Sequence, residues 1–392
     1  MDVKRFEILP VLESVRLNEK INFQITCLEV NNNDVYLGTA DGFVLCYQDV
    51  LEAFVTPQPT PQHRYMSTKK AVTQIKIAPI LERILCVYDA TFVALNLNNL
   101  EVINSLRIKN IYSFCLNENP MLLEDPFTLE LCLVKKKSVC IYHLQADKLT
   151  LVKEVTVPEQ PILVAMDGYF VCMAAENNYY MLDWQSGECQ QLISNDSTSS
   201  MSPVCKHVAR NEFLINGLSH LGVFVNTSGI SERPPIDWGM DVKRIAYSYP
   251  FILCLKQYSI TIISVIDSQM KEEIPFENGA YIDNFDGKIV IASSDSIFYL
   301  RRLPWEEQID SLLDSGKSQE AIELCDTLSE NGLISNRDFE NTKLVQVKAE
   351  LEELSQDNES AFLYGQTGDH AKKWPRYGEA TVEPSQPLAL SV

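Results

Sequence analysis

Eleven cysteines and five histidines are the side chains of this chain best suited to nucleophilic, general-base or metal chemistry. Their spacing argues against that use. The cysteine count is odd, no two stand as CxxC, and most lie inside apolar runs, such as Cys86 in "RILCVYD" and Cys254 in "FILCLK". A reduced cysteine in such a run behaves as a small hydrophobe, so inert buried thiols are expected. A zinc site assembled from scattered cysteines and histidines is the competing reading. His63, His143, His207, His220 and His370 are isolated from one another and read as strand or loop residues. "GLSHLG" (217–222) has the flavour of a serine hydrolase, but no acid partner accompanies it. "LNENP" (116–120) and "FENG" (276–279) each hold a single acid in what reads as a turn. No GxGxxG, GxxxxGK[ST], HExxH or GxSxG pattern occurs. No catalytic residue, cofactor-binding residue or metal ligand is therefore assigned, no cofactor is expected, and the sequence assigns no partner-binding residue.

Bulk properties narrow the classes further. The 392 residues are 46% hydrophobic and 22% charged, ordinary for a chain with a large core. The net charge of −20 argues against nucleic acid or anionic lipid as the main direct partner. The acid is uneven: from Pro304 onward there are 18 Asp/Glu against 7 Lys/Arg. "MDVKRFEILP" lacks the apolar core of a signal peptide, and no window holds 18 apolar residues, so a cytoplasmic protein is expected. The sequons at Asn195, Asn226 and Asn358 then carry no meaning.

The elements that would position any site repeat. Short apolar runs separated by turn residues fall into groups whose first strands begin near 25, 72, 112, 161, 204, 242 and 280, with "GISERPPI" (229–236) as the last strand of the fifth. The mean period of about 42 residues per four-strand unit is that of a β-propeller blade. Asp41-Gly42 between "VYLGT" and "FVLCY" is a hairpin signal, because such turns need positive φ. The seventh unit has three strands, and "RFEILPVL" (5–12) can supply the fourth, closing the ring with both chain ends. An all-β, seven-bladed propeller over 1–303 is expected. A β-sandwich would need far fewer strands. Two longer stretches, 49–70 and 194–202, read as mobile surface loops or as partner-binding insertions.

At 303–328, "LPWEEQIDSLLDSGKSQEAIELCDTL" changes period. Trp305, Ile309, Leu312 and Leu313 share a helical face, Gly316 ends that helix, and Ala321, Ile322, Leu324, Cys325 and Leu328 form a second stripe. The pair reads as the start of an α-solenoid over 304–356, with a third helix at 336–355. A disordered tail is expected at 357–392.

"LNENP", "KEVTVPEQPILVAMDGYF" (153–170), "GISERPPIDW" (229–238), "IPFENG" with "DNFDGKIVIASSDSIFYL" (274–300) and "LPWEEQIDSLL" (303–313) resemble the transforming growth factor-β receptor-associated protein and vacuolar sorting protein three family over about residues 5–355. The resemblance implies a citron homology (CNH) propeller. It also implies a non-enzymatic subunit of the endosomal tethering complex CORVET, peripheral on early endosomes. The implied partners are a Rab GTPase and other tethering-complex subunits, and, as an alternative, TGF-β-type receptors and Smad proteins in signalling. Members of that family continue for several hundred residues of solenoid. A chain of this length is therefore expected to be a short form, one that could keep partner recognition, lose assembly and compete with a full-length form. A propeller enzyme working at the central channel is the reading from another class.

Overall fold

The computed structural model describes residues 4–18, 21–51, 59–121, 123, 125–194, 201–218 and 220–330. The chain divides into two compact units, Met1–Pro304 and Trp305–Val392.

The first unit is a seven-bladed β-propeller. Blade 1 runs Ile25–Asn31, Asp34–Thr39, Phe43–Tyr47 and Gln62–Tyr65; blade 2 runs Val72–Ala78, Arg83–Tyr88, Thr91–Asn96 and Val102–Lys109. Blades 3 and 4 begin with Ser113–Leu116 and Leu163–Asp167, and blades 5, 6 and 7 with Cys205–Ala209, Arg244–Ser248 and Tyr281–Phe285. Each sheet is antiparallel and mostly in sequence order. Second and third strands are buried almost throughout, as in "RILCVY" of blade 2 and "FILCL" of blade 6. Both of their faces meet a neighbouring blade, so they read as continuous apolar runs rather than alternating ones. The core is a set of wedges between blades. One cluster, for example, joins Ile77 and Val93 of blade 2 to Tyr36 and Val44 of blade 1.

Blade 7 closes the ring with strands from the two ends of the propeller. Phe6–Leu12 pairs antiparallel with Ile297–Arg302, with Phe6 opposite Arg302. The Glu272 carboxylate of blade 6 accepts the backbone N–H of Arg5 at 2.7 Å and of Phe6 at 3.2 Å. The Arg302 guanidinium lies over the Phe6 and Phe251 rings and donates to the Ser248 and Tyr249 carbonyls.

Two expectations need correction. The stretch 49–70 is not all loop: Gln62–Tyr65 is the outer strand of blade 1, pairing Phe43 with Tyr65 and Cys46 with Gln62. Its four residues are all exposed, so no apolar alternation betrays it. "GISERPPI" is not one strand but a strap. Gly229–Ile230 and Ile236–Asp237 pair with opposite ends of Leu221–Asn226, and the two prolines bow out between them. Arg233 holds the strap by stacking 3.9 Å over Phe224 and pairing with Glu212 at 2.6 Å. Trp238 packs on Gly222, where a Cβ would come within 2.3 Å of the indole. The Asp41-Gly42 signal is met by a three-residue turn with Gly42 at φ 79°. Residues 52–58 and 195–200, within the two candidate insertions, lie outside the described residues.

In the second unit, α1 (Trp305–Asp314) and α2 (Ser318–Glu330) pack on each other. Ile309, Leu312, Ala321, Cys325 and Leu328 are buried. Gly316 (φ 71°) ends α1 in a Schellman turn, its N–H donating to Leu313 O and the Lys317 N–H to Leu312 O, both at 2.9 Å. The expected third helix and the tail lie outside the described residues.

Candidate functional site

The first strand of every blade lines a central channel of about 860 Å³. These strands all run the same way, so the channel has an entry face, where they begin, and an exit face, where they end. Charged side chains project into the bore from runs that are otherwise apolar: Glu29 in "ITCLEV", Lys76 in "VTQIKIA" and Asp283 in "YIDNF". Lys76 pairs with Glu29 at 2.9 Å across the seam between blades 1 and 2, and its ammonium lies 5.6 Å over the Phe285 ring of blade 7. Lys206 of blade 5 reaches Asp283 of blade 7 at 2.6 Å, passing over blade 6. The second pair is a tie across the bore, not between neighbours.

Environment sets the charge states. Burial pushes the Glu29 carboxyl up to about 7 even though Lys76 opposes it. Burial alone would depress Lys76, but the Glu29 and Asp283 carboxylates reverse the sign and raise it. Burial works against ionising Asp283, but Lys206 and Lys76 outweigh it and hold its carboxyl below the usual range. Lys206 and Asp283 keep 31% and 35% of their side-chain surface open to the bore, although protein surrounds them.

The entry mouth differs from the bore. Tyr112 of blade 3 and Ile162 and Leu163 of blade 4 line it, 43%, 47% and 36% exposed. Two blades farther on, Arg244 stacks its guanidinium 4.6 Å over the Tyr281 ring. Among the described residues no carboxylate pairs with Arg244.

The residues singled out in the sequence fall elsewhere. His143 contacts Glu130 at 3.2 Å, and His207 contacts Asp167 at 3.3 Å; both acids are buried. His63 lies on the exposed outer strand of blade 1, and Ser219 of "GLSHLG" and His370 lie outside the described residues. All eleven cysteines are free thiols, eight of them buried. Burial pushes the Cys27, Cys46 and Cys254 thiols up to about 12, far from a reactive thiolate. "FENG" is a turn, with Asn278 at φ 62°.

"LNENP" is more than turn chemistry. The Asn117 amide donates to the Glu130 carboxylate at 2.5 Å and to Gly168 O at 2.9 Å, and its oxygen accepts from Gly168 N. Asn119 donates to Asp167 at 2.6 Å, and Asp167 also accepts from the Asn211 N–H. The two asparagines clasp blade 3 to blade 4, and Asp167 carries the clasp on to blade 5. What sequence reasoning missed was the channel set: Glu29, Lys76, Lys206, Asp283 and Arg244. The available signal was a charge inside the first, otherwise apolar, strand of a repeat unit.

This architecture agrees with a comparison at the family level. Residues 31–284 match the CNH domain. The chain belongs to the CNH domain family. The solved AfRom2 CNH domain aligns over 76% of this chain and all of its own, with a TM-score of 0.57 at 17% identity, a likeness of fold alone. The human "Transforming growth factor-beta receptor-associated protein 1" is 35% identical over 335 residues, covering 83% of this chain and 38% of that protein. Its zebrafish (Danio rerio) homolog is 33% identical over 84% of this chain and 39% of its own length. The human "Vam6/Vps39-like protein" is 22% identical over 82% of this chain and 37% of its own length. This CNH chain thus spans about two fifths of the length of the relatives it matches. Among the described residues no helix is long and apolar enough to cross a membrane, and no group of three or more His, Cys, Asp or Glu could hold a metal ion.

Proposed function

We propose that this CNH protein is a non-enzymatic tethering or adaptor subunit in endosomal vesicle-mediated transport. In this reading the propeller recognises a Rab GTPase, the helices from Trp305 onward begin a solenoid that meets other tethering subunits, CORVET-like, and the protein sits on early endosomes through those partners. The observation that carries the reading is that relatives named for receptor association and a relative named for vacuolar sorting each match about four fifths of the chain. A propeller whose bore acids Glu29 and Asp283 are each tied to a lysine also suits a recognition scaffold better than a reaction centre. The test is capture by a panel of immobilised Rab proteins loaded with GTP or GDP. Retention by an early-endosomal Rab in the GTP state alone is expected. Failure to bind any Rab or tethering subunit would overturn the reading.

A second reading has its own support: the relatives at 33–35% identity carry the receptor-associated name, against 21–22% for the vacuolar sorting set. It makes the chain an adaptor or chaperone at TGF-β-type receptors and Smad proteins. Retained binding to a receptor cytoplasmic domain, with no Rab captured in the same panel, would select it.

A further inference from the structure

We propose that the entry mouth of the channel is a docking site for a short, extended protein segment in which a carboxylate side chain stands beside apolar ones. This goes beyond GTPase recognition and holds whichever partner the rest of the propeller binds.

Three observations converge on one rim. The first is charge. The charged groups lining the channel are Glu29, Lys76, Glu118, Lys206, His207, Asp283 and Arg244. Glu29 is paired with Lys76, Asp283 with Lys206, and His207 contacts Asp167. Glu118 follows the end of the blade 3 first strand and so lies at the exit face. Arg244 opens the first strand of blade 6 and lies at the entry face, with no carboxylate partner among the described residues. Arg244 is the guanidinium among these channel-lining groups, and its charge is complementary to a carboxylate. Its stacking on Tyr281 fixes the plane in advance, so a fork of donors awaits a carboxylate at little entropic cost.

The second observation is apolar surface. Tyr112, Ile162 and Leu163 are exposed on adjacent blades at the same mouth, and hydrophobic side chains gathered around a concavity mark recognition sites. The backbone beneath them is fixed: Tyr112 N donates to Val134 O at 2.9 Å and Ile162 N to Ala174 O at 2.7 Å. The third is shape. The mouth opens onto a channel of about 860 Å³, within the range that accepts a ligand or a few residues of a chain, not a folded domain. The guanidinium on blade 6 and the apolar arc on blades 3 and 4 lie on different sides of the bore. A segment that used both would be extended across the opening. An anionic membrane fits less well, because the remaining surface charge repels it.

The test is an array of decapeptides combining Asp or Glu with Leu, Ile or Phe, against matched peptides with Asn or Gln in place of the acids and with Ser in place of the apolar residues. The full chain serves as probe, in wild type and in the exposed-site variants Arg244→Gln, Arg244→Lys and Ile162→Ser, each first shown to melt like wild type. Acidic–apolar peptides should be enriched over both controls. Arg244→Gln should weaken the best of them about ten- to hundredfold, the size of one charge-assisted pair. Arg244→Lys should restore part of the loss, and Ile162→Ser should weaken binding with the salt dependence unchanged. Absence of enrichment, or enrichment indifferent to Arg244→Gln, overturns the proposal. Binding of phosphatidylserine vesicles that Arg244→Gln abolishes would reassign the mouth to a membrane.

Discussion

Glu29 shows how one side chain can make the stability of the domain depend on pH. Glu29 is 8% exposed, and burial lifts its carboxyl from 4.5 to about 7. A carboxyl whose folded pKa exceeds its unfolded one binds its proton more tightly when folded. Its contribution is therefore complete below the unfolded value and is lost as pH rises through about 7. The shift corresponds to a contribution on the order of 3 kcal/mol. Glu29→Gln keeps the shape and removes the titration. The stability of wild type relative to Glu29→Gln should fall by up to about that amount between pH 5 and pH 8. Melting both proteins across that range checks it, and a difference that does not move with pH contradicts it.

Among the elements, the decisive one is the strand Phe6–Leu12. It shares blade 7 with Tyr281–Phe285, Lys288–Ala292 and Ile297–Arg302, and its entry is bonded to Glu272 of blade 6. Phe6 and Leu12 are buried, as is Val15 beyond them. Deleting residues 1–15 strips blade 7 of its outer strand and of core side chains, so the cooperative melting of the entire propeller should be lost. Calorimetry of the deletion variant is the measurement. Normal melting with only local protease sensitivity near 297–302 would show that closure is dispensable. The strands were legible in the sequence wherever burial on both faces made a continuous apolar run, as in "FILCL" and "KIVIA". Gln62–Tyr65 was not legible, because an outer strand facing water carries no such signature. The strap after Gly229 misled for a different reason: its fourth-strand role is split around Pro234 and Pro235, while Arg233 and Trp238 do the holding. The channel set and the Asn117 clasp were illegible because their members come from different blades, and only closure of the ring brings them together.

At the scale of the molecule, charge decides what the protein can reach unaided. With 53 acidic against 33 basic residues, it should be repelled by anionic bilayers. Cosedimentation with phosphatidylserine vesicles should therefore stay at background at low and at physiological salt. Recruitment should appear only when a protein partner is first anchored on the vesicle. Vesicle binding by the chain alone, strongest at low salt, would contradict the view of a protein held at membranes through partners.

The pairing of Phe6 with Arg302 also sets a clock. A ribosome adding about 5–20 residues per second takes roughly 15–60 s to pass from one partner to the other. For that interval the place of "FEILPVL" in blade 7 does not yet exist. The nascent chain must carry this apolar segment without its blade 7 partner while six blades form behind it, so efficient production depends on what shields that segment during translation.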